Sequence, residues 1–179
     1  MQPFRNFQIT LVSANNLENV RRFGEMKVYA KVSLNEETGT ITKTNVDTVG
    51  GLNPRWNFQV GYTISDSAFT GQRGAVQVVV KLYCDRTLGD KYLGEVRIPI
   101  ESLFDFWYRG VYEMSYWVTG TQHGRSSLHI SYRFDDVFYF MEQMDRRQQS
   151  AWERALRLGW MVARQGIWFF LTGGIDFGF

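Results

Sequence analysis

The chain has 179 residues, enough to bury a core within one domain, and 44% apolar against 21% charged residues excludes a disordered polymer. A formal charge of +2 does not advertise nucleic-acid binding, so any electrostatic role rests on where the charges lie. The single cysteine, Cys84, excludes an internal disulfide and fits a reducing compartment, and MQPFRNFQIT carries no secretory pattern, so an intracellular location is expected.

Residues 6–13 alternate Phe7, Ile9 and Leu11 against polar neighbours, the period of a half-buried strand. The same period returns at 26–34, 40–46, 56–62, 75–84, 92–100, 111–118 and 125–133 followed by Phe134. Turn-forming stretches separate them: NEETG, VGGLNP, SDSAFTGQRG and TGTQHG. About eight short strands so spaced predict a mainly β, antiparallel sandwich or barrel over residues 1–135.

From about residue 135 the period lengthens towards 3.6, and residues 136–179 read as a helical, aromatic-rich tail. Ser150-Ala151-Trp152-Glu153 is a capping box, and residues 150–171 make an amphipathic helix stopped by Gly173-Gly174. Glu153, Arg154, Arg157, Arg164 and Gln165 share one sector of it. Trp152, Leu156, Leu158, Val162, Ile167, Phe169 and Phe170 share the other. Leu158–Leu171 is shorter than a bilayer needs and is interrupted by Arg164, so an interfacial or docked helix is expected ahead of a span. Trp152, Trp160 and Trp168 suit a headgroup-level belt. Ala151, Ala155, Gly159 and Ala163, at i+4 spacing, form a groove for close packing against the sandwich, a second copy or a larger assembly.

Three stretches, in order, resemble the C2 domain family, and its plant cold-regulated branch most closely. They are FQITLVSANNLENVRRFGEMKVYAKVSL, then Val49-Gly-Gly-Leu-Asn-Pro-Arg-Trp-Asn-Phe58, then Tyr83-Cys-Asp-Arg-Thr-Leu-Gly-Asp-Lys-Tyr-Leu-Gly-Glu-Val96. The resemblance covers roughly residues 4–134 and implies an eight-stranded C2 sandwich. Asn53, Pro54 and Trp56 read as turn chemistry and packing.

Calcium-binding C2 domains supply about five loop acids, because the cation takes six to eight oxygens. By resemblance those positions fall on Arg21, Lys27, Tyr83, Asp85 and Lys91, so only Asp85 survives in register, with Asp90 one residue off. No metal or other cofactor is therefore expected. The cations Arg21, Arg22, Lys27, Arg86 and Lys91 would instead meet anionic headgroups at the loop end, unless nearby Glu18, Glu25 and Asp90 neutralise them. The resemblance also puts Tyr29, Lys31 and Lys43 on the concave-face positions that phosphoinositide-binding members use, with Ser33 and Ile41 where lysines would be expected.

His123 and His129 have no acid at triad or metal spacing, Cys84 has no local base, and phosphate-binding and dinucleotide fingerprints are absent, so no enzymatic activity is expected. The sequence reads as a calcium-independent adaptor that docks to an anionic membrane at its cytosolic face or to membrane-associated proteins. The competing reading is an accessory subunit, or homo-oligomer, that uses the sandwich and tail as protein-interaction surfaces.

Overall fold

The computed structural model describes residues 3–70, 75–121 and 125–139. Among these residues nine strands form two antiparallel sheets: β1 (Pro3–Asn15), β2 (Val28–Leu34), β3 (Thr42–Lys43), β4 (Arg55–Ser65), β5 (Gln77–Cys84), β6 (Lys91–Pro99), β7 (Glu113–Trp117), β8 (Ser127–Phe134) and β9 (Phe138–Tyr139). One sheet has the order β4-β1-β8-β7, with β9 pairing the start of β1, and the other has the order β3-β2-β5-β6. Short helices α1 (Ser67–Thr70) and α2 (Ile100–Tyr108) lie between strands. The expected helix over 150–171 lies outside the described residues.

The period-2 pattern sets the core. Val28, Ala30, Val32 and Leu34 of β2 and Val78, Val80, Leu82 and Cys84 of β5 turn inward against Phe7, Ile9 and Leu11 of β1 and Leu128, Ile130 and Phe134 of β8. Full burial of one such large apolar side chain contributes roughly 1.5–3 kcal/mol. In β1 the inward set runs 7, 9, 11 and then 14, because the register shifts between Leu11 and Ser13 in its pairings with both β4 and β8.

The structure corrects four expectations. The strand expected over 40–46 is regular only at Thr42–Lys43. Thr40 closes a 3-10 turn, its hydroxyl donating to Leu34 O at 3.2 Å, and the Thr44 hydroxyl accepts the Ala30 amide at 3.0 Å, so hydroxyls take over ladder bonds. The strand expected over 92–100 stops at Pro99, after which α2 turns Ile100 and Leu103 inward at helical spacing. The strand expected over 111–118 is shorter, Glu113–Trp117. Residues 138–139, counted with the tail, pair with Pro3 and Phe4 in the sandwich.

Candidate functional site: the loop end and the concave face

The β1–β2, β3–β4 and β5–β6 loops leave the sandwich at one end and are laced together. Leu17 N donates to Leu52 O at 3.0 Å, Asn16 N to Asn53 Oδ1 at 3.0 Å, and Asp85 N to Lys27 O at 2.7 Å. Trp56 anchors this end from below, donating its indole N–H to Val28 O at 3.1 Å.

Asp47 organises the second loop. Its Oδ1 accepts the amides of Val49 (2.8 Å) and Gly50 (2.9 Å), and its Oδ2 accepts that of Arg55 (2.6 Å). Burial pushes the Asp47 carboxyl up, but the bonds from Gly50, Arg55 and Val49 outweigh it and leave the pKa below the ordinary value. Gly50 is required here: a Cβ would lie 2.6 Å from both Asn53 O and Asp47 Oδ2.

At the tips of the three loops stand Phe23, Val49 and Leu88, which are 89%, 88% and 98% exposed. Sequence reasoning passed over them, although each directly precedes a glycine in a polar loop (RFG, TVG, TLG). Around them lie the expected cations. Arg22, Lys27 and Lys91 are exposed, while Arg21 reaches Glu25 O at 2.5 Å and Arg86 reaches Gly89 O at 3.2 Å. Cys84 of β5 pairs with both Val28 and Lys91, so Lys27, just before β2, and Lys91, at the start of β6, lie on either side of the end of β5.

The other expected cluster lies on the outer face of the β3-β2-β5-β6 sheet. Tyr29 stacks on Tyr83 with ring centroids 5.4 Å apart, and Tyr83 meets Tyr92 edge-on at 5.7 Å. Lys43 Nζ sits 3.7 Å from the Tyr29 ring centre and Lys31 Nζ 5.0 Å from that of Tyr83. Tyr29 is only 1% exposed although it faces away from the core. Its neighbours on that face bury it. Ser33, on the same face, is buried, and Ile41 is exposed next to β3.

On the opposite sheet, Ser115 Oγ lies 3.1 Å from His129 Nδ1 and Glu113 Oε2 lies 3.7 Å from His129 Nε2. Cross-strand pairing brings together groups that no local spacing in the sequence announces. His123 and the tail positions Trp152, Ala155, Gly159, Trp160, Ala163, Ile167, Trp168, Phe169 and Phe170 lie outside the described residues.

A family model described as C2 domain matches residues 5–114. The chain belongs to the C2 domain family. Among curated relatives it is 32% identical to Protein SRC2 of Glycine max over 143 residues, covering 74% of this chain and 47% of that protein. It is 36% identical to Protein SRC2 homolog of Arabidopsis thaliana over 102 residues, covering 56% of this chain and 31% of that protein. The matched regions thus take in less than half of either relative. Among solved structures, a C2 domain of plant extended synaptotagmin 1 superposes with a TM-score of 0.58 at 17% identity, covering 76% of this chain and 96% of that one.

Within this C2 domain the positions of the calcium acids are built differently. By resemblance those positions fall on Arg21, Lys27, Tyr83, Asp85 and Lys91, of which only Asp85 is a carboxylate. Asp90 is engaged elsewhere, its Oδ2 accepting the Tyr29 phenol at 2.6 Å. Among the described residues no three His, Cys, Asp or Glu side chains converge as a metal shell would require.

Proposed function

We propose that this C2 domain is a non-catalytic, calcium-independent targeting module that docks its loop end onto anionic membranes. One observation carries the reading: three apolar side chains project from three different loops at one end of the sandwich, with Arg21, Arg22, Lys27, Arg86 and Lys91 set around them. Apolar tips enter the headgroup–acyl boundary while cations remain at the phosphates, each contributing on the order of 1 kcal/mol at an anionic surface. Lys31 and Lys43, each over a tyrosine ring, offer a neighbouring place for one headgroup phosphate. Docking of this kind needs no metal bridge and belongs to the cytosolic face of a membrane. No helix among the described residues is long and apolar enough to cross one.

Co-sedimentation with vesicles tests the reading. Binding to phosphatidylserine-containing vesicles should fall as salt rises and fall again when Arg21, Lys27 and Lys91 are changed to Glu. Absence of binding to any anionic vesicle at low salt overturns it.

A second reading, an adaptor that holds protein partners, is favoured by the outer edge of the β4-β1-β8-β7 sheet. There β7 has one neighbour among the described strands and ends in Trp117, 70% exposed, with the exposed Tyr112 just before its other end. A charge at the β7 edge, Trp117→Glu, separates the two functions by removing partners held there and sparing vesicle binding by the loops, and a chain truncated after residue 139 tests the remaining segment. The truncated chain keeps vesicle binding if the loops suffice, and partners lost with the truncation belong to the segment removed.

A further inference from the structure

The sheet β4-β1-β8-β7 turns Phe7, Ile9 and Leu11 into the core and Gln8 and Thr10 to its other side. On that outer face one row of side chains crosses all four strands, because Gln59 pairs with Thr10, Thr10 with Ser131, and Ser131 with Glu113. In the next row Gln8 stands between Gly61 and Arg133. Gly61 has no side chain, so this row is open on one side of Gln8. Residues of both rows line a groove of about 410 Å³, with Tyr112 at its β7 end. That volume falls within the range of small-ligand sites.

Gln8 sets this groove apart from an ordinary solvated face. It is only 4% exposed, its Oε1 accepts from Gln59 Nε2, and its own Nε2 has no hydrogen-bond partner. Exchanging nitrogen and oxygen in both amides keeps the bond between them and leaves Gln8 Oε1 over instead. One polar atom of a buried amide is unpaired either way. Such groups are few in folded proteins, because each one lowers stability. Packing alone does not explain a glutamine here, since an apolar side chain of similar volume would leave no bond unmade. A local rule broken without structural return points to a ligand.

The rest of the lining defines the chemistry. Glu113 only accepts and Arg133 only donates, while the Thr10 and Ser131 hydroxyls and the two amides do both. One carboxylate and one guanidinium balance among the lining residues, so the groove favours neither an anion nor a cation. Both charged groups are accessible. The Arg133 side chain is 60% exposed, its Nε 3.8 Å from Asp135 Oδ1, and that of Glu113 is 68% exposed, its Oε2 3.7 Å from His129 Nε2. A sugar matches this set: its hydroxyls donate and accept, and the C–H face of its ring packs on an aromatic such as Tyr112, 55% exposed. We propose that the outer face of the β4-β1-β8-β7 sheet binds a neutral sugar of about one or two rings. The Gln8 and Gln59 amides hold neighbouring ring hydroxyls, and Glu113 and Arg133 take the outer ones. The site lies on the sheet opposite Lys31 and Lys43 and does not depend on docking by the loops.

Nuclear magnetic resonance of the full chain, titrated with glucose, galactose, maltose and sucrose to about 50 mM, tests this, because the Gln8 and Gln59 side-chain amides report directly. At least one of these sugars should give saturable shifts of both amides and of the Ser131 and Glu113 backbone. Gln8→Leu and Gln59→Leu should each weaken that binding about tenfold. Gln8→Leu should melt no lower than the parent, since it removes the unmade bond. A clearly lower melting temperature makes Gln8 a structural residue and overturns the site. Gln59 is exposed, so its variant reads binding with the fold intact. No shift at either amide with any of these sugars overturns the proposal. Shifts that rise linearly to the last addition also overturn it, as a solvent effect. Saturable binding that both variants leave unchanged lies elsewhere and overturns the placement. Tighter binding of glucuronate than of glucose gives the groove to an anion held by Arg133 and overturns the neutral ligand.

Discussion

The phenol of Tyr29 donates a 2.6 Å hydrogen bond to Asp90 Oδ2, tying the middle of the outer face to the third loop. A carboxylate one residue away from a calcium position serves here as an acceptor for a tyrosine. The tyrosine bond, the backbone bond from Arg86 and the charge of Lys43 outweigh partial burial and lower the Asp90 pKa. Burial first, then Asp90, pushes the Tyr29 phenol up, so it remains a donor throughout the physiological range.

Tyr29→Phe should lower the melting temperature at neutral pH by roughly 2–6 °C through the lost charge-assisted bond. Because the folded-state pKa of Asp90 is depressed, its contribution is complete above the ordinary value of 3.8 and is lost as pH falls through the folded value. Thermal melts of the two proteins should therefore converge below that pH. A gap that persists in acid would place the effect in packing instead.

Asp47 supports three amides of the second loop. Asp47→Ala should cost roughly 2–4 kcal/mol in chemical denaturation, since those donors lose an ionised acceptor. Its pKa is also lowered, so this stability is held above the ordinary value of 3.8 and lost as pH falls through the folded value below it.

Changing Phe23, Val49 and Leu88 together to Ser should weaken vesicle binding about tenfold or more, since each removes apolar area from the boundary region. The melting temperature should hold, because all three are 88% exposed or more. A fall in stability without loss of binding would assign these side chains to the fold.

Calcium titration by calorimetry should give no saturable heat at millimolar concentration, because Arg21, Lys27 and Lys91 stand where oxygen ligands are needed. Restoring acids at those three positions together should introduce a binding isotherm.

The strand pattern was legible because burial on one face imposes period 2, and Phe7, Ile9 and Leu11 or Val28, Ala30 and Val32 show it directly. The short strand after Thr40 was not, since a threonine that closes a turn through its hydroxyl has the same composition as one in a ladder. Helix α2 escaped notice because its first inward residue, Ile100, directly follows β6 and continues the strand's alternation from Ile98. On the outer face, the family resemblance pointed to Tyr29, Lys31 and Lys43. Tyr83, Lys81, Arg97 and Glu36 joined them through cross-strand register and a turn, which are relationships between segments and leave no local mark. The exposed tips carried a mark, an apolar residue before glycine, but exposure itself is a property of the fold.

The pairing of β9 with Pro3 and Phe4 fixes where the last described residues lie, at the start of β1. Strand β1 runs 13 residues from that point to the loop end, about 40 Å. A domain resting on a bilayer by Phe23, Val49 and Leu88 would therefore hold Tyr139 on the side facing away from the lipid. Cargo fused there would stand off the membrane by about the length of that strand, free to meet a second binding site and gain avidity from the tether.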